Sequence, residues 1–171
     1  MKKIKILFID SEGGHGGSSR SLFAIVKNLD KKKYDSTVIC KKYSNIFHEY
    51  KKNKIKWYVC QKIPKLTAVK REKINIYSFF KFYFYDWIRS YKFRKKLMHI
   101  SQGFDYIHFN HVNLFLLAKW KRKKNKKSTF TMHIRTNPYL NASSKLQAKI
   151  EKKFIDNFIF ITENEHDLYN N

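Results

Sequence analysis

The sequence is poor in cysteine and has no long apolar run. Its two cysteines, Cys40 and Cys60, fit neither a metal-ligand spacing nor a disulfide framework, so we expect both to be buried, reduced thiols. No apolar run approaches the roughly 20 residues that a membrane-spanning helix needs. The start MKKIKILFID breaks into charge too early for a signal peptide, and we expect a cytoplasmic protein.

Acidic residues are also scarce. The 171 residues include 13 Asp and Glu against 37 Lys and Arg, which gives a formal net charge of +24. Such an excess attracts anionic lipid, nucleic acid or phosphorylated substrates. It also follows from a composition rich in Lys, Ile and Asn, and the scatter of lysines along the chain favours this second origin for much of it. The 43% hydrophobic content supports one domain with a sizeable core.

Glycine is rare, and four of the five glycines cluster within residues 13–17. The run 4–9 before the cluster predicts a buried strand, and the apolar residues of segment 22–29 recur at helical spacing. The cluster is therefore predicted to be a strand-to-helix turn. Three serines are candidates for the N-cap of the helix: Ser18, Ser19 and Ser21.

The predicted helix start offers unpaired backbone N–H groups and a positive dipole end, which suit a phosphate or another anion. Two familiar phosphate-binding motifs do not fit this turn. The P-loop lysine is absent, and Ser19 stands at the last glycine of the dinucleotide fingerprint. A tight turn without a ligand and a site for some other nucleotide are the open alternatives.

Strand-like and helix-like segments alternate along the chain. After the first strand, the predicted strands are 34–40, 55–59, 106–109, 128–133 and 158–161. Predicted helices include a short one at 46–50, longer ones at 112–120 and 143–154, and one that opens at residue 163. This alternation predicts an α/β fold, a Rossmann-like parallel sheet flanked by helices.

Ligands of such sheets bind beyond the carboxyl ends of the strands. Polar residues follow four of the predicted strands there: His15; His108, Asn110 and His111; His133, Arg135 and Thr136; and Thr162, Glu163 and Asn164. One histidine near a strand end is usually structural, whereas several at one edge indicate a binding or catalytic site.

Segment 74–96, between the third and fourth predicted strands, is dense in aromatic residues with lysine and arginine interleaved. As a helix it either packs on the sheet with its basic end in water, or lies at a membrane interface with its cations on anionic lipid. Stacking on single-stranded nucleic acid is less favoured, because no RRM, KH or OB-like signature accompanies the segment.

The order of these motifs resembles the N-terminal domain of GT-B fold glycosyltransferases of the family 4 type. GGSSRSL (16–22) matches the family's glycine turn, DYIH (105–108) its fourth strand, FTMHIRT (130–136) its fifth strand with a terminal histidine, and DNFIFITE (156–163) its sixth. The chain departs from the family pattern at Ser18-Ser19, at Ile134 and at Thr162, where Ala-Glu, Asp and Ser are common. The resemblance covers essentially the whole chain.

This resemblance implies retaining transfer of a sugar from a nucleotide-sugar to a glycan or lipid-linked acceptor, in the synthesis of a cell-surface polysaccharide. It implies His133 as the catalytic residue near the reacting sugar. The other implied residues contact the donor diphosphate or the substrate: Gly16, Gly17, Ser18, Arg20, His108, Asn110, Arg135, Thr162 and Glu163. It implies no metal and no cofactor, because the nucleotide-sugar is a substrate.

Residues 1–171 then form the acceptor-side, Rossmann-like half of a GT-B enzyme, which we expect to be truncated before the donor-binding domain and inactive alone. The expected partners are a nucleotide-sugar bound through that second domain, the acceptor, and an anionic membrane surface that segment 74–96 contacts at the cytoplasmic face. The alternative function is a basic module that binds nucleic acid or an anionic membrane.

Overall fold

A computed structural model of the protein describes residues 2–14, 16–66, 76–125, 127–135 and 142–170. Six parallel strands form one sheet in the order β3-β2-β1-β4-β5-β6. The strands are β1 (Ile4–Asp10), β2 (Tyr34–Cys40), β3 (Lys56–Val59), β4 (Tyr106–Phe109), β5 (Thr129–Ile134) and β6 (Asn157–Phe160). The predicted Rossmann-like α/β fold is thereby confirmed, with strand ends shifted by one residue in β1, β3, β5 and β6.

Helices connect successive strands. In the described parts of the chain the α-helices are α1 (Gly17–Asn28), α2 (Ile46–Lys52), α3 (Ile76–Lys81), α4 (Tyr91–Ile100), α5 (Phe115–Lys124), α6 (Ala142–Phe154) and α7 (Glu163–Asn170). The helix predicted at 112–120 is divided, because Val112–Leu114 forms a 3-10 turn before α5 begins.

The two faces of the sheet carry separate apolar clusters, because alternate side chains of a strand point to opposite faces. Leu7 and Ile9 of β1 belong to the larger cluster, which includes buried side chains of α4, α5 and β5. Phe8 belongs to the second cluster, with Leu22 of α1 and Phe47 of α2. Both faces of β1 are therefore buried, which explains its apolar run.

Helix α1 begins before the serines that the sequence predicts as candidates for its N-cap. Gly16 is its N-cap, and no side chain caps it, so the predicted serine N-cap is wrong. The Ser19 side chain turns instead toward β1, where its hydroxyl donates to the Asp10 carboxylate at 2.6 Å. The buried carboxylate needs this donor, and the first N–H groups of α1 are left without a side-chain partner.

The two cysteines are both free, but only Cys40 is fully buried and Cys60 is half-buried. Burial raises the pKa of the Cys40 thiol far above its usual range, and the charge of Asp10 adds to this effect. Cys40 is therefore an unreactive thiol that packs under α1 and α2, as expected for a reduced core residue.

Segment 74–96 is described from residue 76 onward, and its first two residues lie outside the described part. Helix α3 runs directly into a π-helix at Phe82–Trp87, and α4 follows. The segment is thus not one regular helix, because the wider π turn interrupts its periodicity. Phe82, Phe93 and Leu97 are buried against the sheet, whereas many other aromatic side chains of the segment are exposed.

We expect the substitution Gly14→Ala to destabilise the fold. Gly14 has a φ of +96°, and an added Cβ would lie 1.9 Å from Ser44 Oγ and 2.7 Å from Ile46 Cγ2. Strained backbone and overpacking together should lower the free energy of unfolding by about 2 kcal/mol, measured by urea denaturation. Gly103→Ala is the control, because a Cβ there meets nothing within 4 Å. Equal losses in the two variants would contradict the prediction.

Candidate functional site

The candidate site lies where the strand order changes direction, between β1 and β4. Strands β2 and β3 extend to one side of β1, and β5 and β6 to the other side of β4. The connections after β1 and β4 therefore diverge and leave a crevice at the carboxyl ends of the strands. Asp10 ends β1, Asn110 follows β4 and Arg135 follows β5, so all three enter this crevice.

Two of the four glycines in the turn after β1 serve packing. Gly13 and Gly14 have φ values of +109° and +96°, which side chains rarely adopt. An added Cβ at Gly13 would lie 2.7 Å from Lys42 Cβ, and one at Gly14 would collide with Ser44. These two glycines let the turn after β1 approach the turn after β2.

The other two glycines form an open helix start. At Gly16 the nearest atom to an added Cβ is Ser18 Oγ at 3.8 Å, and at Gly17 none lies within 4 Å. The first turn of α1 contains no acidic residue and no side-chain cap, and Arg20 is exposed in it. Free N–H groups, a positive dipole end and open space together make this turn suitable for an anion.

The carboxylate of Asp10 is the centre of a buried hydrogen-bond network. Asp10 is 0% exposed. Its Oδ2 accepts from the Ser19 hydroxyl at 2.6 Å, and its Oδ1 accepts from the Glu12 N–H at 3.1 Å and from Asn110 Nδ2 at 3.3 Å. Asp10 thus joins the glycine turn, α1 and the loop after β4. Sequence reasoning missed it, although a carboxylate directly after an apolar strand signals buried donors nearby.

Asn110 extends the network to β5. Its Nδ2 also donates to the Ser18 carbonyl at 3.3 Å. Its Oδ1 and backbone oxygen accept from Arg135 at 2.9 and 3.1 Å. The Arg135 guanidinium also lies 3.0 Å from His133 Nδ1. These four residues, all predicted site residues, are therefore brought together in one continuous set of contacts.

His133 is held as a neutral ring in one tautomer. Because a guanidinium only donates hydrogen bonds, His133 Nδ1 accepts from Arg135 and the ring proton is on Nε2. Burial, followed by the charges of Arg135 and His111, lowers the pKa of His133 to about 4. At neutral pH His133 can therefore donate a hydrogen bond through Nε2, but it carries no positive charge.

His108 lies beside His133 on the same face of the sheet. Its ring centroid is 5.9 Å from that of His133 and 5.2 Å from that of Phe8, and the residue is 4% exposed. Burial, together with the charges of His133 and Arg135, lowers its pKa to about 3. Its buried Nε2 has no hydrogen-bond partner among the described residues. His108 is therefore a neutral ring that packs between Phe8 and His133.

Charged groups from the neighbouring turns line the opening of the crevice. Lys65, after β3, lies 3.3 Å from Glu12 through its Nζ and the carboxylate Oε1. Lys41, after β2, donates to a backbone carbonyl of the turn after β3 at 2.8 Å. Burial and the charge of Lys65 lower the pKa of Lys41. Sequence reasoning did not single out these two lysines, because lysine is scattered along the whole chain and no pattern marks these positions.

Thr162 and Glu163 lie at the start of α7. Thr162 Oγ1 accepts from the Glu165 N–H at 3.2 Å, and a Glu165 carboxylate oxygen accepts from the Ile161 N–H at 3.0 Å, which is a variant of the capping box. Glu163 is exposed. No described contact joins Thr162 or Glu163 to the Asp10 network, and their contact with substrate stays a prediction.

Glu165, which sequence reasoning did not select, is electrostatically closer to the site. Burial lowers the pKa of Arg135, and the charges of Asp10 and Glu165 oppose that effect. The charge of Glu165 therefore stabilises the charged guanidinium of Arg135. His15 and Thr136, which were also candidates, lie outside the described residues.

Comparison with known proteins gives a family match over most of the chain. Residues 15–171 match the profile of Glycosyltransferase Family 4. No curated protein matches the chain in sequence. Among the described residues, none of the helices has the length and apolarity to span a membrane.

Solved structures share the fold at low sequence identity. The chain is similar to Anabaena HepE in complex with UDP and glucose, with a TM-score of 0.68 and 12% identity over 98% of this chain and 40% of HepE. It is similar to the lipopolysaccharide outer core galactosyltransferase WaaB, with a TM-score of 0.59 and 16% identity over 96% of this chain and 41% of WaaB. It is also similar to a UDP-N-acetylglucosamine 2-epimerase, with a TM-score of 0.54 and 12% identity over 99% of this chain and 45% of the epimerase.

We expect His133 to make the fold less stable in acid. Its folded pKa of about 4 lies below the ordinary value of 6.5, so the unfolded chain binds more protons between these two values. Stability is therefore present above pH 6.5 and is lost as the pH falls toward 4. The variant His133→Gln should lack about 3 kcal/mol of this dependence, measured by urea unfolding across the same pH window.

Two comparisons separate the contribution of His133, together with the part of the His108 shift that depends on it, from that of other groups. The substitution His48→Gln, at an exposed position of α2 outside the crevice, is measured alongside as the control for exchanging a histidine for glutamine. Burial raises the pKa of Glu151 to about 7, which acts with the opposite sign, but Glu151 is present in every variant and cancels in the difference. A wild-type slope in His133→Gln would show that the ring is not held neutral.

Proposed function

The chain belongs to glycosyltransferase family 4, and from this we propose that it takes part in retaining transfer of a sugar from a nucleotide-sugar to a glycan or lipid-linked acceptor. The observation that carries the proposal is the open glycine turn at the crevice, inside the family match. HepE has been solved with UDP-glucose, which supports a nucleotide-sugar donor for this chain as well. We propose a role in cell-surface polysaccharide synthesis at the cytoplasmic face of the membrane.

In this proposal the start of α1 receives the donor diphosphate. Gly16 and Gly17 leave space for phosphate oxygens next to the backbone N–H groups, and the exposed Arg20 adds a positive charge. A helix N-terminus favours an anion by about 0.3–1 kcal/mol, and more in a partly buried geometry. The Ser18 carbonyl is already engaged by Asn110, which keeps the first turn in place.

His133 then acts on the sugar as a hydrogen-bond donor. Arg135 occupies Nδ1, so Nε2–H is the group available to a sugar hydroxyl or to the oxygen that leaves with the diphosphate. A donor already fixed in position need not reorganise as charge develops. Asn110 supports this preorganisation indirectly, because it accepts from the same Arg135 that contacts His133.

The reaction is proposed for a protein in which this domain works with a donor-binding domain. The chain spans 40% of HepE and 41% of WaaB, so their activities belong to longer chains. In that arrangement the 171 residues contribute the acceptor side of the crevice and one wall of the diphosphate site.

The substitutions Gly17→Val and His133→Ala should each lower kcat/KM for sugar transfer by about 100-fold in the protein that joins both domains. Valine fills the space next to the diphosphate, and alanine removes the Nε2–H donor. A panel of UDP-sugars serves as donors. Gly103→Val is the matched control, because its Cβ also meets nothing in the fold and it lies outside the crevice. Unchanged activity in both site variants would reject the assignment.

We further propose that the domain contacts an anionic membrane through an aromatic–basic surface, defined as the exposed residues of 77–96. Its large apolar and aromatic members are Tyr77, Phe80, Tyr83, Phe84, Tyr85, Ile88 and Tyr91. Its exposed basic members are Lys81, Arg89, Lys92, Lys95 and Lys96. Large apolar side chains concentrated at the surface beside charged ones are typical of a membrane or protein interaction site.

The arrangement of this surface favours lipid over nucleic acid. Phe80 and Phe84 stack on each other at 5.6 Å, and the Arg89 guanidinium lies 4.6 Å above the Tyr85 ring. Rings that are already stacked on protein partners offer less face to a base, whereas they can still enter the headgroup boundary beside cations. Such contact would bring the crevice close to lipid-linked acceptors.

The double substitution Phe80→Ser/Phe84→Ser should weaken binding to phosphatidylglycerol vesicles by about tenfold in a sedimentation assay, because it removes apolar area from the interface. The matched control is Ile159→Ser/Ile161→Ser, which changes two exposed apolar residues elsewhere. Binding to phosphatidylcholine vesicles should be weak. Equal loss in both double variants, or tighter binding to single-stranded RNA than to vesicles, would overturn the membrane proposal.

A further inference from the structure

His111 stands at the crevice in the same hydrogen-bonded state as His133. It is the N-cap of the 3-10 turn that follows β4, and its Nδ1 accepts from the Asn113 N–H at 3.2 Å. A backbone N–H can only donate, so the neutral ring of His111 carries its proton on Nε2. Two histidines on neighbouring strand ends thus have Nδ1 occupied by different donors and Nε2–H left for a ligand.

The two rings share one electrostatic environment. The charge of His111 acts on His133, and the charge of Arg135 acts on both. Burial is the main cause that lowers the pKa of His111, and the carboxylates of Glu12 and Asp10 oppose it while Lys65 and Arg135 add to it. Both rings are therefore neutral donors at neutral pH.

The acidic groups beside these rings are already engaged. Asp10 accepts from three donors of the protein, and Glu12 lies beside Lys65. The groups that remain for a ligand are hydrogen-bond donors: the two imidazole Nε2–H groups, the first N–H groups of α1, and the N–H groups of Arg135 and Lys65 that Asn110, His133 and Glu12 do not use. Such a set is complementary to a group that only accepts, and a phosphate with its several oxygens and negative charge fits it.

From this geometry we infer that His111 and His133 together bind a phosphate group of the substrate as a pair of Nε2–H donors, and that neither ring is the base of the reaction. The identity of the substrate in this inference rests on the function proposed above. The binding of a phosphate group by the two rings does not depend on that function. A base would need a free ring nitrogen, and Nδ1 is occupied in both rings.

The test is ¹⁵N NMR of the histidine-labelled chain with inorganic pyrophosphate as the probe. Both rings should show the Nε2–H tautomer, and pyrophosphate should shift the Nε2 signals of His111 and His133. His111→Leu should weaken pyrophosphate binding about tenfold, the loss of one hydrogen bond to a charged group, whereas His111→Gln should lose only about twofold because its amide can donate from a similar position. His48→Leu, at an exposed position of α2, is the control and should bind like wild type.

Several outcomes would overturn the inference: an Nδ1–H tautomer at His111, no pyrophosphate binding at millimolar concentration, or equal binding by folded His111→Leu and wild type. If the Leu variant unfolds, the tautomer of His111 and the response of its Nε2 signal to pyrophosphate, both measured on the wild-type chain, keep the test valid. Competition by UDP assigns the phosphate to the donor, and competition by a short prenyl diphosphate alone assigns it to a lipid-linked acceptor. Pyrophosphate binding that depends on His111, with sugar transfer unaffected by Gly17→Val and His133→Ala, would reject the proposed function and leave this inference standing.

Discussion

A buried carboxylate between β1, β4 and α1 is the constraint on which the site depends. An ionised group without solvent is costly unless several donors surround it, so Asp10 holds Ser19, Asn110 and the turn after β1 in one arrangement. Asn110 then presents two oxygens to Arg135, and Arg135 fixes the tautomer of His133. The position and protonation of the proposed catalytic residue therefore follow from a carboxylate that does not touch it.

The large positive charge of the chain acts differently in different places. Inside the crevice, Arg135 is partly desolvated, and its charge adds to the effect of burial in lowering the pKa values of His108 and His133. The pKa of Lys41 is itself lowered, by burial and by the charge of Lys65. On the aromatic–basic surface the cations alternate with exposed rings, an arrangement suited to a lipid interface. Lysines scattered over the remaining surface are screened by salt within about 10 Å and contribute mainly to solubility.

The fold does not choose the reaction by itself. A sugar transferase and an epimerase both share this sheet, as the similarity to WaaB and to the UDP-N-acetylglucosamine 2-epimerase shows. The carboxyl edge of the sheet carries the chemistry: an open helix start at Gly17, a network centred on Asp10, and imidazoles whose Nδ1 is already occupied and whose Nε2–H is left to donate. The family match and this edge together, and not the topology, carry the proposal of sugar transfer.

The sequence by itself determined that the strands form a parallel sheet and at which edge of it the candidate site residues lie. Apolar runs and helical spacing are local, and the carboxyl ends of parallel strands share one edge, so Gly17, Asn110 and His133 could be assigned there without a structure. Only the tertiary structure decided which glycines pack and which stay open, that Thr162 caps α7, and that Asp10 organises the crevice. Asp10 meets Asn110 across 100 positions of the chain, and a contact between residues so far apart leaves no local pattern, because it exists only once the sheet has brought β1 and β4 side by side.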